Sequence, residues 1–188
     1  SVDFGYRLPA ALFFQVYKVV PKENPNYQHA DWHVNIIDEI AHRKNLKVSQ
    51  FAQLVMDKKY RIVRAYGDPA GYQMQSSVGM GEAELFRQAT GLHIFALRDK
   101  SSRSIASGIS HVRNFICNVS DTRRLHIDKK CVNLINDIES YRYQDQKDGT
   151  DLKNTPLKDG LHDHSMDAMR YFFVNQFPIK KYKYRTYK

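Results

Sequence analysis

Cysteine is scarce in this sequence: only Cys117 and Cys131 occur in 188 residues, and they form no CxxC pair. So few thiols exclude a disulfide framework and a cysteine-rich structural zinc site. Long apolar runs are also missing, since no stretch approaches the roughly 18 consecutive apolar residues that a membrane span needs. We therefore expect a protein without membrane contact, with both cysteines reduced and packed in the core.

Several catalytic motifs are missing as well. There is no GxxxxGK[ST] phosphate loop, no GxSxG nucleophile elbow and no HExxH zinc motif. The sequence therefore argues against ATP hydrolysis by this chain alone, against serine-hydrolase chemistry and against a zinc enzyme. Residues 1–5 lack the basic and apolar segments of a secretion signal, which favours a cytoplasmic location.

Basic residues are in excess, with 29 Lys and Arg against 20 Asp and Glu, a formal net charge of +9 at pH 7. This charge favours a polyanionic partner such as DNA, because lysine and arginine displace counterions from phosphates. Charge alone does not separate DNA-binding proteins from ribosomal or membrane-surface proteins. The remaining composition, 42% hydrophobic and 26% charged, is typical of one globular domain.

Strands and helices alternate along the chain. The hydrophobic pattern predicts three opening strands, at residues 2–4, 10–20 and 33–42, and shorter strands at 61–66, 92–97 and 124–127. It predicts helices at 49–59 behind a serine cap, at 81–90, 104–118, 132–143 and 162–173. The helix at 104–118 should bury one face, formed by Ile105, Ile109, Val112 and Ile116. We expect one domain over residues 1–177, followed by a basic, flexible tail at 178–188.

Acidic residues stand where these elements begin or end, which is where active sites of α/β folds collect. Asp3 lies in the first strand, and Asp68 ends the strand predicted at 61–66. Asp163 and Asp167 are four residues apart at the start of the last helix, so their side chains share one face about 5–6 Å apart. His164 lies beside them, three residues before Asp167.

Each aspartate taken alone is more often structural, as a surface residue, a turn former before Pro69 or a helix cap. Together they predict a metal site. Two like charges at 4 Å repel by about 4 kcal/mol at an effective dielectric near 20, so converging carboxylates need cations to neutralise them. Carboxylate oxygens suit Mg²⁺ or Mn²⁺, and two such ions support hydrolysis of a phosphodiester.

A family resemblance enters through three short motifs. Residues 163–171 read DHSMDAMRY, which resembles the DHxxDAxRY motif of phage large-terminase nuclease domains. VDFG at 2–5 with PAAL at 9–12 looks like the opening strand of that family, and GDPAG at 67–71 looks like its second acidic motif. The resemblance covers nearly the whole chain. It implies a ribonuclease H-like fold, related to Holliday-junction resolvases: a central mixed β-sheet, with antiparallel opening strands followed by parallel strands, flanked by helices.

The resemblance also implies the site. By position, Asp3 would bridge two metal ions, Asp68 would bind one of them, and the last helix would supply the remaining ligands. Asp167 matches the terminal acid of the family, while either Asp163 or His164 takes the neighbouring ligand position. Asp3, Asp68 and Asp167 are thus the expected catalytic residues of a two-metal endodeoxyribonuclease that uses Mg²⁺ or Mn²⁺.

The function that the resemblance implies is cutting of concatemeric double-stranded viral DNA, with little sequence specificity, during genome packaging in the host cytoplasm. In such proteins the nuclease follows an ATPase domain and works with a portal and a small terminase subunit, so this chain is expected to be a detached domain and no part of the mature virion. Candidate DNA-binding residues are Arg103, Arg113, Arg123, Arg124, Lys180, Lys181, Lys183 and Arg185. For the tail, a solvated end without DNA contact is an equal alternative.

Two other functions remain open from the sequence. A Holliday-junction resolvase or a transposase of the same fold would use the same metals on a branched or transposon-end substrate. A non-catalytic DNA-binding packaging module would use its basic charge for binding, with the aspartates serving only as turn formers.

Overall fold

A mixed β-sheet forms the centre of the computed structural model, which describes residues 1–19, 31–74, 79–97, 104–143 and 156–178. The strands in these ranges are β1 (Val2–Asp3), β2 (Ala10–Val19), β3 (Asp31–Ile40), β4 (Ala65–Tyr66), β5 (Ile94–Phe95) and β6 (Leu125–Ile127). The helices are α1 (Val48–Asp57), α2 (Glu82–Thr90), α3 (Ile105–Ile116), α4 (Val132–Ser140) and α5 (Asp163–Gln176), with a short 3₁₀ helix at Pro69–Tyr72. None of the helices in these ranges is both long and apolar enough to cross a membrane.

The strands pair as the sequence predicted, antiparallel first and parallel afterwards. Four of them lie in the order β1-β2-β3-β6, in which β2 is antiparallel to both of its neighbours and β6 is parallel to β3. Strands β4 and β5 form a second, parallel pair. Because β1 and β3 are both antiparallel to β2, they run in the same direction, and their carboxyl ends lie at one edge of the sheet.

The β4 pair lies directly beside β1. The Ser1 hydroxyl donates to the Tyr66 carbonyl oxygen at 3.2 Å. A Cβ atom placed on Gly67 would lie 3.2 Å from the Val2 carbonyl oxygen, so the backbones approach too closely for a side chain between them. The carboxyl ends of β1 and β4 therefore adjoin each other, and they carry Asp3 and Asp68.

Alternating residues of β2 and β3 build two cores, one on each side of the sheet. On one side the core includes Leu12, Val34 and Ile36 and is covered by α3, α4 and α5. On the other side it includes Ala11 and Phe13 and is covered by α1 and α2. The period of two in the strands therefore dictates which helices face which side.

Helix α5 is the central helix of the fold. It packs against β1, β2, β4, α3 and α4, and its residues from Ala168 to Val174 are all buried. The Phe172 ring stacks on the Phe14 ring of β2, with 3.7 Å between their centroids. A helix enclosed on all sides is held in one position, which fixes the residues of its first two turns.

Several predicted boundaries differ from the structure. The strand predicted at 61–66 is limited to β4, and of the strand predicted at 92–97 only β5 forms, because these strands pair only where they meet each other. Helix α1 begins at Val48 without a serine cap: the Gln50 side chain accepts from the Lys47 backbone N–H at 2.9 Å. Helix α4 ends at Ser140, three residues early, and α5 runs three residues past the predicted end. The predicted tail after Pro178 lies outside the described residues.

The predicted buried face of α3 is wrong in part. Ser104 does cap the helix, accepting from Ser107 N–H at 3.1 Å. Helix α3 buries Gly108, Val112 and Phe115, whereas Ile116 is 41% exposed. The reason is the close approach of α5: a Cβ atom on Gly108 would lie 2.5 Å from Cγ of Arg170, so the glycine faces α5.

The prediction that both cysteines are packed in the core is also half wrong. Cys131 is fully buried, but Cys117 is exposed at the end of α3. The core-facing side of α3 does not include Cys117. The Cys117 thiol lies instead 3.2 Å from an Asp121 carboxylate oxygen. Neither thiol has a cysteine partner.

The close packing at Gly108 yields a stability prediction. Gly108→Ala improves helix propensity by about 1 kcal/mol, but overpacking against the buried Arg170 stem costs about 1–3 kcal/mol. We expect a net loss of unfolding free energy in denaturant titration. Ser110→Ala, at an exposed position of the same helix, is the matched control and should not destabilise the protein. A Gly108→Ala protein as stable as this control would contradict the packing argument.

Candidate active site

The sequence-predicted site residues come from three elements that meet at the carboxyl edge of the sheet. Strand β1 ends with Asp3, and Asp68 is the second residue after β4. The first two turns of α5 carry Asp163, His164 and Asp167. Because α5 packs on both β1 and β4, residues more than 160 positions apart in the chain become neighbours.

Asp3 and His164 are in direct contact. Nδ1 of His164 lies 2.8 Å from Oδ2 of Asp3, so the two side chains share a hydrogen bond. The Asp3 side chain is only 13% exposed. Burial raises the pKa of Asp3 to about 6, the His164 bond partly opposes this rise, and the nearby charge of Asp167 adds to it. The bond to Asp3 in turn raises the pKa of His164.

Asp167 is paired with two basic side chains. Arg170 donates from Nη2 at 2.9 Å and from Nε at 3.2 Å to the same Asp167 oxygen, Oδ1. Nζ of Lys158 lies 3.4 Å from the other oxygen, Oδ2. The Arg170 guanidinium also lies over the Tyr171 ring, 4.6 Å from its centroid. The chain itself therefore supplies counter-charges to the buried Asp167 carboxylate.

Asp68 has a structural role and also belongs to the same region. Its Oδ1 accepts from the Ala70 backbone N–H at 2.7 Å and so caps the 3₁₀ helix. The loop is held against the residue after β1, since a Cβ on Gly71 would lie 2.8 Å from the Phe4 ring. Burial raises the pKa of Tyr171, and the charges of Asp167, Asp3 and Asp68 raise it further. All three carboxylates therefore act on one tyrosine.

Asp163 differs from its neighbours on α5. It is only 8% exposed, and its Oδ1 has no hydrogen-bond partner among the described residues. Its charge adds to the rise in the pKa of His164. A buried carboxylate oxygen without a partner is uncommon in folded proteins and is available to a further ligand.

The donor chemistry fits a divalent ion, but the side chains are not arranged as a closed metal cluster. Carboxylates with one imidazole suit Mn²⁺, and Asp163 offers a free oxygen. Within the described part of the chain, however, no three His, Cys, Asp or Glu side chains lie together in an arrangement that could hold a metal. In this conformation Lys158, Arg170 and His164 lie beside the acids and offset part of their negative charge.

Sequence reasoning missed the basic residues of the site. Arg170 was visible as part of the motif at 163–171, and its position three residues after Asp167 allows an ion pair on one helix face. Lys158 comes from the segment before α5 and had no sequence signal. Asp137 was also missed, although it stands three residues after the buried Leu134, on the core-facing side of α4.

The predicted DNA-binding residues within the described ranges, Arg113, Arg123 and Arg124, do not lie beside Asp3. Arg123 and Arg124 precede β6, at the amino edge of the strands, where the Arg124 carbonyl accepts from Val34 N–H. Arg113 is near the same edge, at the end of α3. The Arg124 guanidinium is packed 4.5 Å from the centroid of the Phe115 ring. The other candidates, Arg103, Lys180, Lys181, Lys183 and Arg185, fall outside the described residues.

Comparisons with known proteins agree with this architecture. The profile of the terminase RNaseH-like domain family matches residues 21–176. Among solved structures, the large terminase of a thermophilic bacteriophage is 19% identical, with a TM-score of 0.62, and the match covers 93% of this chain and 38% of that one. Its complex with ATP-gamma-S is 18% identical, with a TM-score of 0.64 and the same two coverages. No curated protein sequence gave a match.

The match to an isolated nuclease domain covers a larger share of the matched structure. The structure of the large terminase nuclease domain from bacteriophage SPP1 with bound Mn is 17% identical, with a TM-score of 0.57, and the match covers 93% of this chain and 83% of that one. The present chain spans 38% of the length of the thermophilic phage terminase. At these identities the structural matches establish the fold, whereas the family profile covers most of the sequence. The chain therefore belongs to the terminase RNaseH-like domain family, and its mixed sheet flanked by helices is a ribonuclease H-like fold.

Proposed function

We propose that this chain is a metal-dependent endonuclease domain that cuts double-stranded viral DNA, with little sequence specificity, during genome packaging. Membership of the terminase RNaseH-like family supports this proposal. So does the SPP1 nuclease domain, whose structure contains Mn. The net charge of +9 is consistent with a DNA partner that is bound through its phosphates.

The observation that carries the proposal is the contact between Asp3 and His164, 161 residues apart, with the charge of Asp167 close enough to affect Asp3. A structural salt bridge does not need a second carboxylate beside it, and the like charge raises the pKa of Asp3. Groups with perturbed pKa values that are gathered at the carboxyl edge of a sheet are typical of catalytic sites. This arrangement favours catalysis over a role for the aspartates as turn formers alone.

The proposed ligands are Asp3, Asp68, Asp167 and, from the start of α5, Asp163 or His164. Bound Mg²⁺ or Mn²⁺, as two ions, would supply a hydroxide nucleophile and stabilise the leaving oxygen. The chain itself orients this set: Arg170 holds one oxygen of Asp167, and His164 orients Asp3. Lys158, whose side chain is 61% exposed, stands at the solvent side of Asp167, where it can meet a phosphate.

The setting of the reaction belongs to the same proposal. The domain would act in the host cytoplasm as part of a longer protein with an amino-terminal ATPase domain, and would work with a portal and a small terminase subunit. The match to under two fifths of the thermophilic phage terminase is consistent with such a longer protein. Basic residues near the site, with Lys158 first among them, are better candidates for DNA contact than Arg123 and Arg124 at the opposite edge.

The first prediction concerns DNA cleavage. Asp3→Asn and Asp167→Asn should each lower the rate of plasmid nicking and linearisation in Mn²⁺ by at least about 100-fold, because each removes a charge that acts in the transition state. DNA binding measured by fluorescence anisotropy should stay the same or strengthen. Asp121→Asn, which changes an exposed carboxylate at the far edge, is the matched control and should cut as the parent does.

Four outcomes would count against the proposal. Unchanged cutting by Asp3→Asn would exclude Asp3 from the reaction, and cutting in EDTA would exclude metal dependence. Strong preference for four-way junctions over linear duplexes would indicate a resolvase instead. Absence of cutting by the parent with both Mn²⁺ and Mg²⁺, despite DNA binding, would favour the non-catalytic packaging module.

The second prediction concerns pH and the stability of metal-free protein. The folded-state pKa of Asp3 is about 6, above its ordinary value of 3.8, so the folded protein holds this proton more tightly. This contribution to folding is fully present below pH 3.8 and is lost as pH rises through 6. Asp3→Asn lacks this contribution, because asparagine does not titrate. Between pH 4 and 7 the variant should gain about 2 kcal/mol of unfolding free energy relative to the parent.

Denaturant titrations in EDTA at four or five pH values measure this difference. Mn²⁺ should reduce it at pH 7, because a bound cation favours the charged form of Asp3. A difference that does not change with pH would show that Asp3 titrates at its ordinary pKa. The site would then lack the buried, like-charged environment described above.

A further inference from the structure

The loop after β3, residues 41–47, lies at the same edge of the sheet as Asp3. Ile40 of β3 pairs with Ala11 of β2, and Ala11 pairs with Val2 of β1, so β3 and β1 end at the same level. Neighbouring strands in a sheet are about 4.8 Å apart, which places β3 about 10 Å from β1. This loop is therefore a neighbour of the proposed nuclease site, although it supplies none of the proposed metal ligands.

The loop is joined to the turn between β1 and β2, residues 4–9. The Asn45 backbone N–H donates to the Arg7 carbonyl oxygen at 2.9 Å. Leu8 of the turn is buried, and Leu46 of the loop packs against the core that α1 and α2 cover. Each segment is therefore fixed to the protein by an apolar residue, which leaves its polar residues towards solvent.

His42 holds the loop at its start. Its Nε2 lies 2.8 Å from Oδ1 of Asp137, a fully buried residue of α4. Its ring also meets the ring of His162 edge-on, with 6.2 Å between the centroids, and His162 directly precedes α5. The loop is thus held beside the start of the helix that carries the proposed ligands.

Four basic side chains of the turn and the loop are exposed, and neither segment contains an acidic residue. These four residues, which we call the basic surface, are Arg7, Arg43, Lys44 and Lys47. None of them is in an ion pair with another described residue. At the opposite edge, by contrast, Arg123 and Arg124 lie 3.6 and 3.9 Å from aspartate oxygens. Positive charge without a partner is therefore concentrated on the side of Asp3.

We propose that the basic surface binds backbone phosphates of duplex DNA beside the cutting position, so that the duplex lies across the carboxyl edge from β1 towards β3. This inference rests on the proposed function, because it takes a DNA phosphate at Asp3 as its starting point. Duplex DNA carries one negative charge per about 1.7 Å of its axis, so a length of about 10 Å carries about six phosphates. The basic surface lies within that length of the proposed site.

Other polyanions, such as an anionic lipid surface, would also suit four lysine and arginine side chains. The position of the basic surface favours DNA, because a substrate phosphate at Asp3 brings its neighbouring phosphates to this edge. Contacts to phosphates carry no sequence information. The basic surface should therefore bind duplexes of unrelated sequence equally well, as a nuclease with little sequence specificity requires.

The test compares three combined variants of the full chain. The first removes three charges of the basic surface: Arg7→Ala, Arg43→Ala and Lys44→Ala. The matched control removes two arginines and one lysine that are exposed at the opposite edge: Arg113→Ala, Arg123→Ala and Lys18→Ala. The third variant keeps every charge of the basic surface: Arg7→Lys, Arg43→Lys and Lys44→Arg.

Fluorescence anisotropy with a labelled duplex, in EDTA and over a range of KCl concentrations, measures binding without cutting. The alanine variant of the basic surface should bind at least about tenfold more weakly, and its slope of log K against log salt should be smaller by about 2–3, roughly one for each lost phosphate contact. The control and the charge-preserving variant should bind as the parent does. With Mn²⁺ and plasmid DNA, the alanine variant should have a raised KM and an unchanged kcat.

Equal losses of affinity and slope in the alanine variant and the control would overturn the inference, because net charge alone would then explain binding. Parent-like affinity and slope in the alanine variant would also overturn it. If that variant does not fold, the single charge reversal Lys44→Glu decides by the same measurements. A parent that binds DNA through the basic surface but cuts none with Mn²⁺ or Mg²⁺ would refute the proposed function and leave the surface intact. A parent that cuts DNA while the alanine variant keeps its affinity and slope would do the reverse.

Discussion

The contact between Asp3 and His164 depends on one constraint, which is the burial of α5 against the sheet. Helix α5 packs on β1, β2 and β4 at once, and its apolar residues from Ala168 to Val174 are enclosed. A helix held this way can move neither along its axis nor around it without opening the core. The polar first turns therefore project from a fixed base to the edge where β1 and β4 end.

The electrostatics of the site follow from that enclosure. Burial disfavours the charged form of Asp3, and Asp167 adds a second negative charge, so the chain supplies basic groups to offset both. Arg170 serves packing and charge together: its stem fills the space left by Gly108, and its guanidinium holds Asp167. The same glycine that lets α3 approach α5 thus places the arginine at the acid.

Sequence patterns predicted the positions of the helices and strands better than their buried faces and their ends. The presence of β2, β3 and α5 was clear, because each is at least ten residues long and a long element has a recognisable sequence pattern. Strands β4 and β5 form only two residues each, because they pair only where they meet, and a partner is not visible in local sequence. The buried face of α3 was predicted wrongly for a similar reason. Its contact with α5 is made by Gly108, which a hydrophobic pattern does not mark as buried.

By itself, the sequence determined the order of strands and helices, the family to which the chain belongs, and the acidic positions that deserve testing, because local periodicity and short motifs carry that information. The tertiary structure decided which of them meet. It placed His164 on Asp3, paired Asp167 with Arg170 and Lys158, and buried Asp137 against His42. These contacts join residues whose separation in the chain says nothing about their distance in space, because only packing of the whole core brings them together.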